Sequence, residues 1–335
     1  MRIGPLIWVS LGFSLAVVFA EAVLRLLPVS TGYDYMPLNS HNPVLRGTPH
    51  VHYTYSLGWN FRLADHGSLN NDGFIATRDY RRGDTAPVLL IGDSYVQAAA
   101  VRPDRNLHAL LSERLQPVEV FGLGRAGGAL PDYVAMARWG IDRYRPAALV
   151  FLIVVGDVDD SLSAKAGGYY FTPGETGLVE SRLDRPALTG AQKTLNHSML
   201  FRYLYDNLAF TVNFALRSAP QQGVVVSREP QVRRRTSAFF LDELERSFPR
   251  ERMILLIHRA RRGGSFMYDA DVNVLSEMAE SRGFRVVDLA ASFEAYERQT
   301  GIHLDFAPVD THWNEAAHRL VAGELEPLLK NMLAR

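Results

Sequence analysis

Five short apolar runs constrain this chain more than anything else in it. "PVLLIG" at 87–92, "VEVFG" at 118–122, "ALVFLIVVG" at 148–156, "RMILLIH" at 252–258 and "FRVVDLA" at 284–290 are rich in Val, Ile and Leu, and most end in Gly or a polar residue. Runs of this kind suit strands buried on both faces, as in a parallel sheet. Between them Leu107, Leu110, Leu111 and Leu115 recur at helical spacing, as do Tyr133, Met136, Ala137 and Ile141. Strand and helix in alternation require right-handed crossovers, which predicts a doubly wound α/β sheet. A closing helix from about Asn314 to Leu333 is expected to cover one face.

Composition excludes several classes of function. A chain of 335 residues, 47% of them hydrophobic, can bury a sizeable core. Its 36 basic and 36 acidic residues cancel, and the basic clusters "RRGD", "VRRRT" and "RARR" are scattered without aromatic interleaving. Nucleic acid is therefore not an expected partner. The absence of Cys removes a disulfide framework, a thiolate zinc site and a Cys nucleophile together.

The N-terminus points to a membrane. From Ile3 to Ala20 the chain runs 18 residues without a charge, roughly 27 Å as a helix at ~1.5 Å per residue. Two readings compete: a signal peptide cut after Ala20-Glu21-Ala22, or an uncleaved anchor. The anchor is favoured because the apolar run exceeds a usual signal core of ~7–15 residues. Residues 1–28 are thus expected to form a single-pass transmembrane anchor, with the rest of the chain outside the cytoplasm. Residues 29–84, rich in Tyr, Asn, His, Gly and Pro without a sustained period, read as an extended lead-in with short strands. The regular domain occupies 85–335. It is interrupted at 161–235 by an insertion with the Gly- and Tyr-rich "AGGYYFTPGETG", the amphipathic "MLFRYLYDNLAFTVNFAL" and "VVVSREPQVRRR". This insertion is expected to form a helical cap over the sheet edge.

In an open parallel sheet, ligands bind beyond the carboxyl ends of the strands. The first apolar run therefore delivers Gly92-Asp93-Ser94 to the expected site. Ser94 stands where a helix begins, so its hydroxyl is a candidate nucleophile and its N–H can face an anion. Asp and Ser after a strand are also ordinary helix N-caps. The base is sought in "PVDTHWNEAAHRL", where Asp310 precedes His312 by two residues, close enough for the carboxylate to hold the imidazole Nδ1–H. His318, inside the closing helix, reads as a packing or surface residue, and His303 with Asp305 as a weaker pair. Metal ligation by "HLDFAPVDTH" competes, but no second ligand cluster and no H-E-x-x-H motif accompanies it. No metal or cofactor is expected. Trp139 and Trp313 are read as core residues in preference to a sugar platform.

Gly-Asp-Ser after an early strand, with Asp-x-His near the C-terminus, resembles the SGNH (GDSL-like) hydrolase superfamily over roughly 85–330. "NNDGF" at 70–74 is similar to the lead-in of membrane-anchored bacterial members. The resemblance implies a three-layer, flavodoxin-like parallel sheet. It also implies a triad of nucleophile Ser94, base His312 and orienting acid Asp310, with the N–H groups of Ser94 and Gly127 in the oxyanion hole. The chain departs from the family at the third motif. "VVGDVDD" sets Gly156, ahead of Asp157, where the family carries an Asn donor. The Gly156 N–H, or the side chain of Asn314, is the expected substitute. The implied activity is hydrolysis of an ester in the cell envelope, an O-acetyl group on a glycan or a lipid ester. Polysaccharide O-acetyl transfer and a catalytically degenerate glycan-binding domain are the alternatives.

Overall fold

The computed structural model describes residues 4–83, 85–175, 177–208, 229–259, 261–262, 265–266, 270–307 and 310–334. All five apolar runs become strands of one parallel sheet: β3 (Val88–Gly92), β4 (Val120–Gly124), β5 (Ala148–Val154), β8 (Met253–His258) and β9 (Arg285–Asp288). Their spatial order is β9-β8-β5-β3-β4, the flavodoxin-like winding in which the first strand sits between the second and the third. The sequence reverses direction across the sheet between β3 and β5, and that switch point opens a crevice at the carboxyl ends.

Successive side chains of a strand point to opposite faces, so the runs feed two cores. Leu89, Ile91, Phe121, Phe151 and Leu255 meet α4 (Leu130–Tyr144), α8 (Pro230–Ser247) and α9 (Ala270–Ser281). On the other face Leu90, Val150, Leu152 and Leu256 meet α3 (Leu107–Arg114), α10 (Ala290–Thr300) and α11 (Glu315–Leu333). The result is the expected three-layer α/β fold. The closing helix starts at Glu315 because Asn314 caps it, its Oδ1 accepting the N–H groups of Ala316 and Ala317 at 2.9 and 3.2 Å.

Gly124, at the end of β4, is required by a close approach. A Cβ there would stand 2.1 Å from the Gln97 backbone nitrogen and 2.5 Å from its Cα. Gln97 closes α2 (Ser94–Gln97), the single turn that begins with the candidate nucleophile. A main-chain clash cannot be relieved by a rotamer change, so Gly124→Ala is expected to cost about 1–3 kcal/mol of stability. It should also displace Ser94, lowering activity beyond the loss of folded protein; thermal unfolding beside active-site titration separates the two effects.

The lead-in is more ordered than its composition suggests. β1 (His52–Leu57) and β2 (Leu63–Ser68) form an antiparallel hairpin, and "NNDGF" fastens the segment to the domain. Asn70 Oδ1 accepts from the N–H groups of Asp72 and Phe74, both at 3.0 Å. Asn71 exchanges two hydrogen bonds with the Tyr80 backbone, at 2.8 and 2.9 Å. Asp72 is buried, accepts the Tyr144 hydroxyl at 2.5 Å and pairs with Arg143 and Arg46. Gly73 turns back at φ +79°, where a Cβ would meet the Gly47 carbonyl oxygen at 2.0 Å.

The insertion differs from the expected helical cap in its described part. It opens with a hairpin, β6 (Gly168–Gly174) and β7 (Gly177–Leu183), which leans on α4 and α8. The short helices α6 (Gly190–Asn196) and α7 (Met199–Arg202) follow, continued by a wide turn over 203–207. The rest of the amphipathic stretch, 209–216, and the "VVVS" at 224–227 lie outside the described residues. The basic "VRRR" belongs to α8, whose Phe240 and Leu244 are in the core.

At the other end, α1 (Gly4–Leu24) leaves apolar side chains such as Trp8, Phe13 and Phe19 exposed. By length and composition, Ile7–Leu24 is able to cross a membrane.

Candidate active site

The fully buried strand β3 ends at the switch point, and the chain turns there into α2. Asp93 caps that turn, its Oδ1 accepting the Tyr95 N–H at 2.9 Å. From the far end of the chain, β11 (Asp310–Trp313) pairs with β10 (Asp305–Phe306), and the Asn314 cap then starts α11. This short hairpin sets His312 over Ser94. His312 Nε2 and Ser94 Oγ are 2.7 Å apart, and Asp310 Oδ1 lies 2.6 Å from His312 Nδ1. An ionised carboxylate only accepts, so Nδ1–H donates to Asp310 and Nε2 is left to accept the Ser94 hydroxyl proton. Asp310 Oδ1 also accepts the backbone N–H of His312 at 3.1 Å, which is how a spacing of two residues suffices.

One partner of this array comes from outside the α/β domain. The Tyr55 hydroxyl, on β1 of the lead-in, donates to Asp310 Oδ2 at 2.9 Å. Nothing in "HYTYSL" announces it beyond a strand-like alternation. Tyr95 is the other unforeseen neighbour. Its ring lies 4.9 Å from that of His312, and its hydroxyl donates to the Thr311 carbonyl at 3.2 Å. Trp313 and His318 are buried behind them, as packing residues. Burial, together with the nearby His108 and His312, pushes His318 down to about 3, so it stays neutral.

The electrostatics favour an ion pair in waiting. Burial works against the imidazolium of His312, but the hydrogen bond and charge of Asp310, with the charge of Asp93 behind them, hold it above its ordinary value. Burial would raise Asp310, but His312 and the Tyr55 hydroxyl outweigh it and keep the carboxyl below its usual range. Asp93 is pushed up to about 6 by burial, against the pull of the Tyr95 N–H and His312.

Asp93→Asn keeps the cap acceptor and removes the charge, which gives a signed prediction. A carboxyl raised on folding from 3.8 to about 6 contributes stability in full below pH 3.8 and loses it as pH rises through 6. The variant is therefore expected to gain in Tm over the parent at pH 8 and to gain less at pH 5. With one of its supporting charges gone, His312 should titrate at lower pH; thermal scans and a pH–rate profile check both.

The candidate oxyanion donors divide. Gly127 sits at φ +66° in the loop after β4. Buried Arg125 fixes that loop by pairing with Asp132 and donating to the Gly167 carbonyl at 2.9 Å. Ala126, beside Gly127, lines the cavity that holds Ser94 and His312. The expected substitutes for the missing Asn are committed elsewhere. The Gly156 N–H donates to Asp271 Oδ2 at 2.7 Å, and Asn314 Nδ2 donates to the carbonyls of His303 and Asp305 at 2.7 and 3.1 Å. Asp157 does not stand in. It is buried, Oδ2 accepts the Val154 N–H and the Tyr133 hydroxyl at 2.9 and 3.0 Å, and burial beside Asp93 drives its carboxyl well upward.

Two cavities flank Tyr95. The one containing Ser94 and His312 measures about 170 Å³ and is walled by Ala98, Ala99 and Ala126. Its neighbour, about 320 Å³, is lined by Asp93, Val154, His258, Phe293 and Trp313 among others.

No family model matches the chain, and no curated relative matches it. Among solved structures it is similar to a member of the lipolytic protein G-D-S-L family from Veillonella parvula, with 11% identity over 73% of this chain and 99% of the other, TM-score 0.41. It is similar to LAE5, an alpha/beta hydrolase enzyme from the metagenome of Lake Arreo, with 18% identity over 72% and 93% of the two chains and a TM-score of 0.41. A catalytic mutant of Axe2, an acetylxylan esterase from Geobacillus stearothermophilus, matches with 15% identity over 76% and 96% of the chains, TM-score 0.39.

Proposed function

We propose that the protein is a serine ester hydrolase held at the outer side of a membrane by α1. The observation that carries this reading is the unbroken line Ser94 Oγ, His312 Nε2, His312 Nδ1, Asp310 Oδ1, with both contacts at hydrogen-bond length. In the proposed reaction Ser94 attacks an ester carbonyl while His312 takes its proton, and Asp310 stabilises the imidazolium. The N–H groups of Ser94 and Gly127 face the oxyanion. The imidazolium protonates the departing alcohol, and water, activated by the same His312, then releases the acid from the acyl-enzyme.

The alanine-walled cavity around Ser94 suits a short acyl group such as acetyl. The envelope location proposed for the domain suits an O-acetylated glycan or a lipid ester. p-Nitrophenyl acetate hydrolysis by the full chain in detergent, beside Ser94→Ala, tests the reading. Hydrolysis lost in the variant supports it; equal rates in both contradict it.

A second reading, glycan binding by a catalytically weak domain, is favoured by one observation. Gly156 and Asn314, the two substitutes the sequence offers for the third oxyanion donor, are both spent elsewhere, and one missing donor typically costs ~100–1000-fold in rate. Retained glycan binding in Ser94→Ala without turnover in the parent would favour it.

In the hydrolase reading Tyr55 is a positioning residue, since it acts on Asp310 and not on substrate. Tyr55→Phe is expected to lower kcat about tenfold, the worth of one hydrogen bond to a charged group, with KM unchanged. A purely structural role for Tyr55 would leave kcat unaltered while lowering the Tm.

A further inference from the structure

The end of α1 is tied to the insertion. Glu21 Oε2 accepts from Ser198 Oγ and the Leu200 N–H, both at 2.9 Å, and Oε1 accepts the Met199 N–H at 3.0 Å. Arg25 pairs with Glu21 at 2.7 Å and donates to the His197 carbonyl at 3.0 Å. One carboxylate thus closes the start of α7. Nine residues after Ser198, Asn207 Oδ1 accepts the Ser30 N–H at 2.9 Å, so 198–207 runs beside 21–30. Whatever depth the end of α1 takes, this segment takes too. A cut after Ala22 would strip α7 of this partner, which agrees with a retained anchor.

The same segment fixes the turn between β1 and β2. The Tyr203 hydroxyl donates to the Trp59 carbonyl at 2.7 Å, and its ring lies 5.6 Å from that of Phe61. Around the exit of α1 the surface is apolar and aromatic: Leu26 is 87% exposed, Trp59 74%, Tyr205 46% and Leu204 43%. Arg62 in the same turn is exposed, and the side chain of Arg25, beside Glu21, is 54% exposed. Exposed apolar and aromatic side chains on segments tied to the end of an apolar helix suit an interaction surface. Exposed Trp and Tyr with flanking cations are what the headgroup layer of a bilayer accommodates.

We infer that this collar rests in the bilayer interface as a second membrane contact, made by the turn 58–62 and the segment after α7. The inference rests on the reading of α1 as a membrane anchor. It gives the active site a fixed height, because Tyr55 stands on β1 four residues before Trp59 in the turn, which the chain can separate by at most about 14 Å. The ester presented to Ser94 is then one borne close to the membrane surface.

The four tryptophans allow a test on the full chain, since Trp8 lies on α1, Trp59 in the collar, and Trp139 and Trp313 in the folded domain. In liposomes of phosphatidylcholine brominated near the headgroup, the emission lost between the parent and Trp8→Phe reports α1. The emission lost between Trp8→Phe and Trp8→Phe/Trp59→Phe reports the collar. The expected result is strong bromine quenching of both components, with Trp59 protected from aqueous iodide. Quenching of Trp8 with Trp59 open to iodide overturns the collar alone. So does a Trp59 reached by neither quencher, which would mean that protein covers it. Absence of quenching at Trp8 overturns the anchor reading and the collar with it.

Discussion

His312→Ala is expected to lower kcat for ester hydrolysis by about 10⁴–10⁶-fold, the range over which triad bases act in serine hydrolases. The size follows from the geometry. Ser94 has a base at 2.7 Å, and a hydroxyl without a base is a poor nucleophile at neutral pH. Ser94→Ala should cost about as much, and the double variant little more, because the two side chains act as one unit. If instead the two losses multiplied, the residues would be acting independently and the proposed proton transfer would fail. In the parent, the base form of His312 is needed and its pKa is raised, so kcat/KM should climb with pH through a value above 6.5.

Asp72→Ala is expected to be the most damaging single change to stability away from the two cores. Asp72 is buried and gathers Tyr144, Arg143 and Arg46. Deleting it leaves the buried Tyr144 hydroxyl without its acceptor and two guanidinium groups without their counter-charge. A broken pair of this kind costs about 3 kcal/mol or more, several degrees of Tm in a chain of this length at roughly 2–4 °C per kcal/mol. Asp72→Asn keeps an acceptor and should lose less. Because Asp72 ties the lead-in to α4, and the lead-in carries Tyr55 to Asp310, activity should fall more steeply than stability on warming. A variant with unchanged Tm would show that the lead-in is held by its apolar contacts alone.

The parts of this molecule legible in the sequence are those where one physical demand dominates a run of residues. Four of the five sheet strands are buried on both faces, so their apolar runs stand out, although β4 falls at 120–124 where the run suggests 118–122; the edge strand β9 is only half-buried and is legible by its Val pair alone. Ser94, His312 and Asp310 were legible for a different reason: each lies at an element end on the carboxyl edge of the sheet, and Asp310 is local to His312. What sequence could not reveal are single contacts between distant residues. Asp271 takes the Gly156 N–H from 115 positions away, and Tyr55 reaches Asp310 across 255. The sequence offers Asn314 as an oxyanion donor, but its cap position and the two carbonyls it serves leave no hydrogen to spare. The insertion is hard to read from composition: its aromatic and amphipathic residues suit a helical cap, whereas its first part is the antiparallel pair β6 and β7.

The central claim is that Ser94 is an activated nucleophile, and covalent labelling tests it without knowledge of the natural ester. The full chain treated with a fluorophosphonate and mapped by peptide mass spectrometry should carry one adduct on Ser94. That adduct should be absent in Ser94→Ala and form far more slowly in His312→Ala. An unlabelled parent protein, or an adduct formed at the same rate without His312, would contradict the account.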